Sequence, residues 1–252
     1  MLKLYIGNKN YSSWSMRPWV LLKQAGIIFE EVTIRFDSFD ANSDFRKKID
    51  NLNPAGKVPV LDDEGFMVWD TLAIAEYLAE RFPDKKLWPE SVQARARARS
   101  VCAEMHSGFG ALRAACPMNI EADLKDAGEL IWRDKPAVRA DVARLVAMWR
   151  ELLEEHKGSR TAGLPQGADA PSGGRQAQST LGTQFFFGEF SIADAFFAPV
   201  CMRLKSYALP IPGDIAAYID RLSALPGVKA WIDGALAERD FRDFEEPYRL
   251  KR

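Results

Sequence analysis

The chain has 252 residues, 47% hydrophobic and 27% charged, with 34 Lys+Arg set against 35 Asp+Glu. That balance is ordinary for a globular protein with a buried core, and it argues against a largely disordered chain. The near-cancelled charge leaves no electrostatic footprint for nucleic acid or an anionic membrane, and no apolar run approaches the roughly 18 residues that span a bilayer. The opening residues lack the apolar core of a signal peptide and read instead as a strand. Cys102, Cys116 and Cys201 are odd in number and widely spaced, which points to reduced thiols and a cytoplasmic location.

In chain order, residues 2–6 alternate apolar and polar side chains and predict a strand. Trp19, Val20, Leu21, Leu22 and Ala25 then make an apolar helical stripe, with Gly26 placed to end it. Residues 29–34 alternate again, and an irregular segment follows. Val58-Pro59-Val60-Leu61 and Met67-Val68-Trp69 flank Asp62-Asp63-Glu64-Gly65, a hairpin signature. Residues 71–82 carry Leu72, Ile74, Ala75, Leu78 and Phe82 at helical spacing before Pro83. This order predicts a small α/β domain over 1–82.

Residues 83–90 read as a linker, and from 91 onward the strand signals stop. Segments 91–116, 136–156, 192–207, 214–224 and 226–238 all read as helices, which predicts an all-α bundle over 91–252. Ser191-Ile192-Ala193-Asp194 forms a capping box, with Phe190 placed to staple onto the helix it opens. The stretch 158–182 is rich in Gly, Ala, Ser, Gln, Thr and Pro without periodicity and reads as a disordered insertion.

The chain has two histidines, His106 and His156, and no Cys or His pair at metal-ligand spacing, so no metal site is predicted. P-loop and Gly-x-Ser-x-Gly patterns are absent. The informative stretch is Asn10-Tyr11-Ser12-Ser13-Trp14-Ser15-Met16-Arg17-Pro18-Trp19, between the first strand and the first helix. Three hydroxyls there meet the free N–H groups and positive end of a helix, a natural anion site. One serine would suffice for a simple N-cap.

Ser12-Ser13-x-Ser15-x-Arg17 resembles the active-site turn of serine-type glutathione transferases, the zeta class above all. Asn53-Pro54-Ala55-Gly56-Lys57-Val58-Pro59-Val60-Leu61 resembles that family's glutathione-binding loop with its cis-proline. Asp70-Thr71-Leu72-Ala73-Ile74-Ala75-Glu76-Tyr77-Leu78 resembles the next helix, whose start holds the γ-glutamyl carboxylate, although the family has Glu-Ser where Asp70-Thr71 stand. Gly188-Glu189-Phe190-Ser191-Ile192-Ala193-Asp194 is similar to the family's capping motif, and residues 104–109 and 117–119 are similar to a bacterial subgroup. The resemblance implies the glutathione transferase fold, a thioredoxin-like N-terminal domain followed by a helical bundle. It implies glutathione as co-substrate, bound by Lys57, Val58, Pro59, Asp70 and Thr71, and a cytoplasmic homodimer with a detoxifying role.

Read unaided, a cis X-Pro bond at Val58-Pro59 would turn a backbone amide and carbonyl towards a bound peptide, while Pro59 equally suits the opening of a strand. Asp70-Thr71 is a good cap pair that also suits an amino-acid backbone. For the chemistry, a thiol with a pKa of about 8.5 is brought into range by a charge-assisted serine bond of about 1.5–3 kcal/mol and about 0.3–1 kcal/mol from the helix end. Ser12 is the expected catalytic hydroxyl, with Ser13 and Ser15 as alternatives that cap the helix. Trp14 stands where relatives carry cysteine, which disfavours disulfide exchange and weakens the case for zeta-type isomerisation.

Cys102, His106, Phe109 and Arg113 fall on one face of the helix predicted over 91–116, so Trp14, His106, Phe109 and Arg113 are the candidate acceptor-pocket residues. Arg95 and Arg99, one turn apart, would meet Glu76 or Glu80 of a second subunit. The alternatives to conjugation are a glutathione-dependent isomerase or dehalogenase, and a non-catalytic glutathione-binding regulatory relative.

Overall fold

The alternation at the N-terminus builds β1 (Leu2–Ile6), which buries Leu2, Leu4 and Ile6 beneath the first helix. The computed structural model describes residues 1–156 and 185–251, so the 158–182 stretch lies outside the described residues. Strand β1 pairs in parallel with β2 (Glu30–Thr33) and antiparallel with β3 (Val60–Asp63), which turns back into β4 (Phe66–Trp69). The sheet order is β2-β1-β3-β4. Glu64 and Gly65 close the hairpin with φ of 54° and 96°, a left-handed pair that glycine at the second position eases. Strand β2 is a shorter, more exposed edge than the 29–34 alternation predicts, with only Val32 partly covered.

Helices α1 (Ser13–Gln24) and α3 (Thr71–Arg81) cover one face of the sheet with Met16, Val20, Leu21, Ile74, Ala75 and Leu78. On the other face lies a separate cluster of Tyr11, Ile34, Phe36, Phe45, Ile49 and Val60. That cluster includes α2 (Asp44–Ile49), which sequence reading left as irregular. It has only six residues, and its start is fixed by the Asp37 carboxylate, which accepts from the amides of Asp44 and Phe45.

The helical half contains α4 (Val92–Ser107), α5 (Gly110–Ala115), α6 (Lys125–Asp134), α7 (Pro136–Glu155), α8 (Ile192–Ser206), α9 (Gly213–Ser223) and α10 (Pro226–Glu238). Helix α8 is buried from Ile192 to Leu204 and packs along α1, which joins the two halves. The Asp194 carboxylate, at its start, accepts from the Ser191 amide at 2.9 Å. Phe190 packs edge-on against Phe185.

The helix predicted over 91–116 is two helices. It breaks at Gly108 and at Phe109, whose φ is 55°. Arg113 Nη1 donates to the carbonyls of His106 and Gly108, and Asp141 accepts from the Leu112 amide. Both freed helix ends thereby gain side-chain partners, which eases the turn of the chain inside the protein. Helix α6 was not predicted either. Its Gly128 suppresses the helical signal, and the residue is needed because a Cβ there would lie 1.8 Å from the Tyr207 carbonyl oxygen.

Candidate active site

The turn between β1 and α1 is held by two buried asparagines that sequence reading passed over. Asn8 accepts from the Phe36 amide and donates to Asp240, while Asn10 donates to Asn119 and accepts from the amides of Ile120 and Glu121. The three serines on this turn have separate fates. Ser15 is fully buried, its Oγ 2.7 Å from Ser12 Oγ and accepting from the Gly7 amide at 3.2 Å. Ser13 Oγ accepts from Arg203 Nη2 at 3.0 Å. No side chain caps α1: its N-cap position falls on Ser12, whose hydroxyl turns to Ser15, and Ser13 and Ser15, expected to cap the helix, lie inside its first turn.

Beneath the turn, Arg17 is buried with its guanidinium carbon 4.1 Å from the centre of the Trp14 ring, and its Nε and Nη1 make no hydrogen bond. Burial lowers its pKa to about 9, with Arg203 and Arg113 adding to the effect. Arg203 is likewise pushed down, to about 10, by burial. Its Nη1 donates to the Cys116 carbonyl. Arg113 also approaches the Trp14 ring, at 5.4 Å, and the His106 ring meets it edge-on at 5.1 Å.

Two adjoining cavities open at Trp14. The first, about 490 Å³, lies between the halves and is lined by Asn53, Lys57, Val58, Pro59, Trp69, Asp70 and Thr71 on one side. His106 and Arg113 face them from α4 and α5. The Val58–Pro59 bond is cis, and the backbone N–H and C=O of Val58 have no partner among the described residues. Thr71 opens α3 with its Oγ1 buried and unpartnered. Asp70 caps the same helix by accepting from the amides of Leu72 and Ala73, and its other oxygen lies 3.3 Å from His106 Nε2.

The second cavity, about 470 Å³, contains Ser12, Ser13, Phe36, Phe39, Phe45 and Met118, with Arg46, Arg203 and Glu245 at its edges. Trp14, Lys57, Val58 and Arg113 border both cavities. The sequence candidates are thus brought together with two exceptions. Ser15 lies buried behind Ser12 and lines neither cavity. Phe109 is buried and lines neither cavity, because the helix break turns it into the core. Arg203 and Glu245 are not among the sequence candidates, though Arg203 is the one cation in the buried stretch of α8 from Ile192 to Leu204, a signal available in the sequence.

The cysteines lie apart from this chemistry. All three are buried free thiols, and burial raises the pKa of each, Cys116 to about 12. Among the described residues no group of three or more His, Cys, Asp or Glu is placed to hold a metal, and no helix is long and apolar enough to cross a membrane.

The family models of the glutathione S-transferase N-terminal and C-terminal domains match residues 11–81 and 135–234. A probable maleylacetoacetate isomerase of Caenorhabditis elegans is 31% identical over 160 residues, which cover 64% of this chain and 70% of that protein. The chain belongs to the glutathione S-transferase family. A maleylacetoacetate isomerase of Rattus norvegicus is 34% identical over 110 residues, covering 44% of this chain and only 50% of that relative. Among solved structures, a glutathione transferase homolog from Burkholderia gl BGR1 with bound glutathione superposes with a TM-score of 0.62 at 24% identity. That superposition covers 93% of this chain and 97% of the other, a likeness of fold.

Proposed function

We propose that the chain is a glutathione transferase that binds glutathione in the first cavity and presents its thiol to Ser12 for attack on a small electrophile in the second. The observation that supports this reading is one cavity holding the unpaired Val58 backbone, the unpartnered Thr71 hydroxyl and Trp14 of the serine turn. Val58 suits antiparallel pairing with the peptide of glutathione. Thr71, at the positive end of α3, suits its γ-glutamyl carboxylate. Asp70 suits the ammonium beside that carboxylate.

Ser15 gives Ser12 its role. In the free site Ser12 Oγ donates to Ser15 Oγ at 2.7 Å. Once a thiolate is present the two hydroxyl rotors can reverse, so that Ser15, its oxygen already accepting from the Gly7 amide, donates to Ser12 Oγ instead. The Ser12 hydrogen is then free for the sulfur, polarised by the chain behind it. Ser15 itself acts only through Ser12, being sealed from both cavities. The uncapped start of α1 adds its dipole.

Retention on immobilised glutathione, followed by turnover of 1-chloro-2,4-dinitrobenzene, tests the reading. A chain that fails to bind glutathione at millimolar concentration overturns it. Glutathione-dependent isomerisation is a second reading, favoured by the isomerase names of the relatives at 31% and 34% identity. It is separated from conjugation by assaying a cis-enone for geometric inversion without consumption of glutathione.

A further inference from the structure

Two adjacent glutamates near the C-terminus sit in opposite circumstances. Glu246 is fully engaged: it accepts from Tyr11 Oη at 2.6 Å and Asn119 Nδ2 at 2.8 Å, and it pairs with Arg249. Glu245 takes no hydrogen bond or ion pair from any described residue, and its side chain faces the cavity that holds Ser12 and Ser13. The segment that carries it is firmly placed. The Arg242 amide donates to Tyr11 Oη, Phe244 packs on Phe39 at 5.3 Å, and Asp240 accepts from Asn8. A mobile tail would not fix a carboxyl in this position, and a purely structural glutamate would have found a partner as its neighbour did.

We propose that Glu245 is the proton donor to the acceptor when that acceptor is an electrophilic alkene conjugated to a carbonyl. This rests on the glutathione transferase reading above. Attack of the thiolate forms an S–C bond at the β-carbon, and the π pair moves through the α-carbon to the carbonyl oxygen as an enolate. Glu245 passes its proton to the α-carbon, forming the C–H bond. The carboxylate then regains a proton from solvent, equivalent to the one released when the thiol ionised. The net change is addition of S–H across the double bond, with no oxidant or reductant. Displacement of a halide from an aromatic ring needs no such proton.

The cavity suits both halves of this step. Phe36, Phe39, Phe45 and Met118 give an apolar wall for the alkene. Arg203 on α8 and Arg113 on α5 border it as cations for the enolate oxygen. Burial raises the Glu245 carboxyl to about 7, with Arg203 pulling it down and Glu246 pushing it up. Arg46, Lys57 and Tyr11 are the remaining charged or titratable groups around the cavity. A carboxyl so placed is still largely protonated just below neutral pH, which is where a general acid is useful.

The experiment compares an enone, 4-phenyl-3-buten-2-one, with 1-chloro-2,4-dinitrobenzene in the full chain and in Glu245→Gln. The enone kcat of the variant is expected to fall roughly a hundredfold further than its chloride kcat, within the range of general-acid catalysis. The alkaline limb near pH 7 in the wild-type enone profile should vanish. Glu245→Asp, which keeps the acid on a shorter arm, should recover part of the enone rate. Equal losses on both substrates, or no loss on either, overturn the proposal, as does a wild-type chain that binds glutathione and turns over the chloride alone or neither substrate. A chain that does not bind glutathione overturns the underlying reading instead, and this one with it.

Discussion

Replacing Asp194 with alanine tests how α8 is held at the centre of the protein. The carboxylate is fully buried and accepts from the Ser191 amide at 2.9 Å, the Phe186 amide at 3.2 Å and Tyr218 Oη at 3.0 Å. The Ser191 hydroxyl donates to it as well, at 3.2 Å, and Ser191, Phe186 and Tyr218 are buried too, so alanine leaves four donors without water or partner. Each orphaned donor costs about 1–3 kcal/mol. Partial relaxation keeps the sum near its lower bound, so a loss of about 3–5 kcal/mol is expected, together with a drop in Tm on the order of 10 °C. Urea unfolding followed by circular dichroism measures it. Asp194 also predicts a pH signature. Burial raises its folded-state pKa from 3.8 to about 6, so between those values the folded protein holds a proton that the unfolded chain has released. Its contribution is complete below about pH 4 and is lost as pH rises through 6, by up to about 3 kcal/mol at 1.36 kcal/mol per unit. The gap between wild type and Asp194→Ala should therefore be widest near pH 4 and narrowest above 6. A loss below about 1 kcal/mol, or a gap that widens with pH, refutes the reasoning.

Ser12→Ala should raise the pKa of bound glutathione by roughly one to two units, as loss of a charge-assisted bond of about 1.5–3 kcal/mol requires, while its affinity changes only a few-fold. Ultraviolet titration of the thiolate decides this, and a normal pKa in Ser12→Ala with a raised one in Ser13→Ala moves the role to Ser13. Thr71→Val keeps the shape and removes the hydroxyl, so glutathione binding measured by calorimetry should weaken about 10- to 100-fold; an unchanged Kd removes Thr71 from the site. A homodimer is expected from the family resemblance, with the exposed Phe66 on β4 and Val92 on α4 as candidates for cover. Light scattering near one 28.3 kDa chain mass at micromolar concentration would refute it.

The pairing of Arg95 and Arg99 with acids of a second subunit is not needed to explain those residues. Arg99 already holds Glu76 of its own chain in a two-pronged bond of 2.7 and 3.0 Å, and Arg95 donates to the carbonyls of Pro89 and Glu90. Sequence periodicity showed the arginines one turn apart but said nothing of α3 lying alongside α4. The same limit explains the other misses. Strands with alternating burial, such as β1, and helices with a continuous stripe, such as α3 and α7, are local patterns and were legible. The break at Gly108–Phe109 was hidden because what stabilises it comes from Arg113 and from Asp141 on a different helix. The contiguous motifs pointed to Ser12, Val58 and Thr71, which line the two candidate cavities. Glu245 and Arg203 reach them through tertiary folding alone.

Of these, Arg203 bears on the proposed role of Ser12, which includes no general base. Arg17, Arg113 and Arg203 converge on the N-terminal turn of α1, two of them buried enough for their pKa values to fall to about 9 and about 10. At neutral pH they remain cations, and an interior that holds cations with unmet hydrogen bonds, as at Arg17, is stabilised by any anion that arrives beside them. A thiolate about 6 Å from one such charge gains on the order of 3 kcal/mol at an effective dielectric near 20, comparable with the serine hydrogen bond itself. Field and hydroxyl therefore act in parallel. The field acts on any anion in either cavity, whereas the hydroxyl selects the position of the sulfur. That division accounts for Trp14 standing between the two cavities. Its ring lies close to Arg17 and Arg113 and borders both cavities, which sets it beside the cations at the place where the two spaces meet.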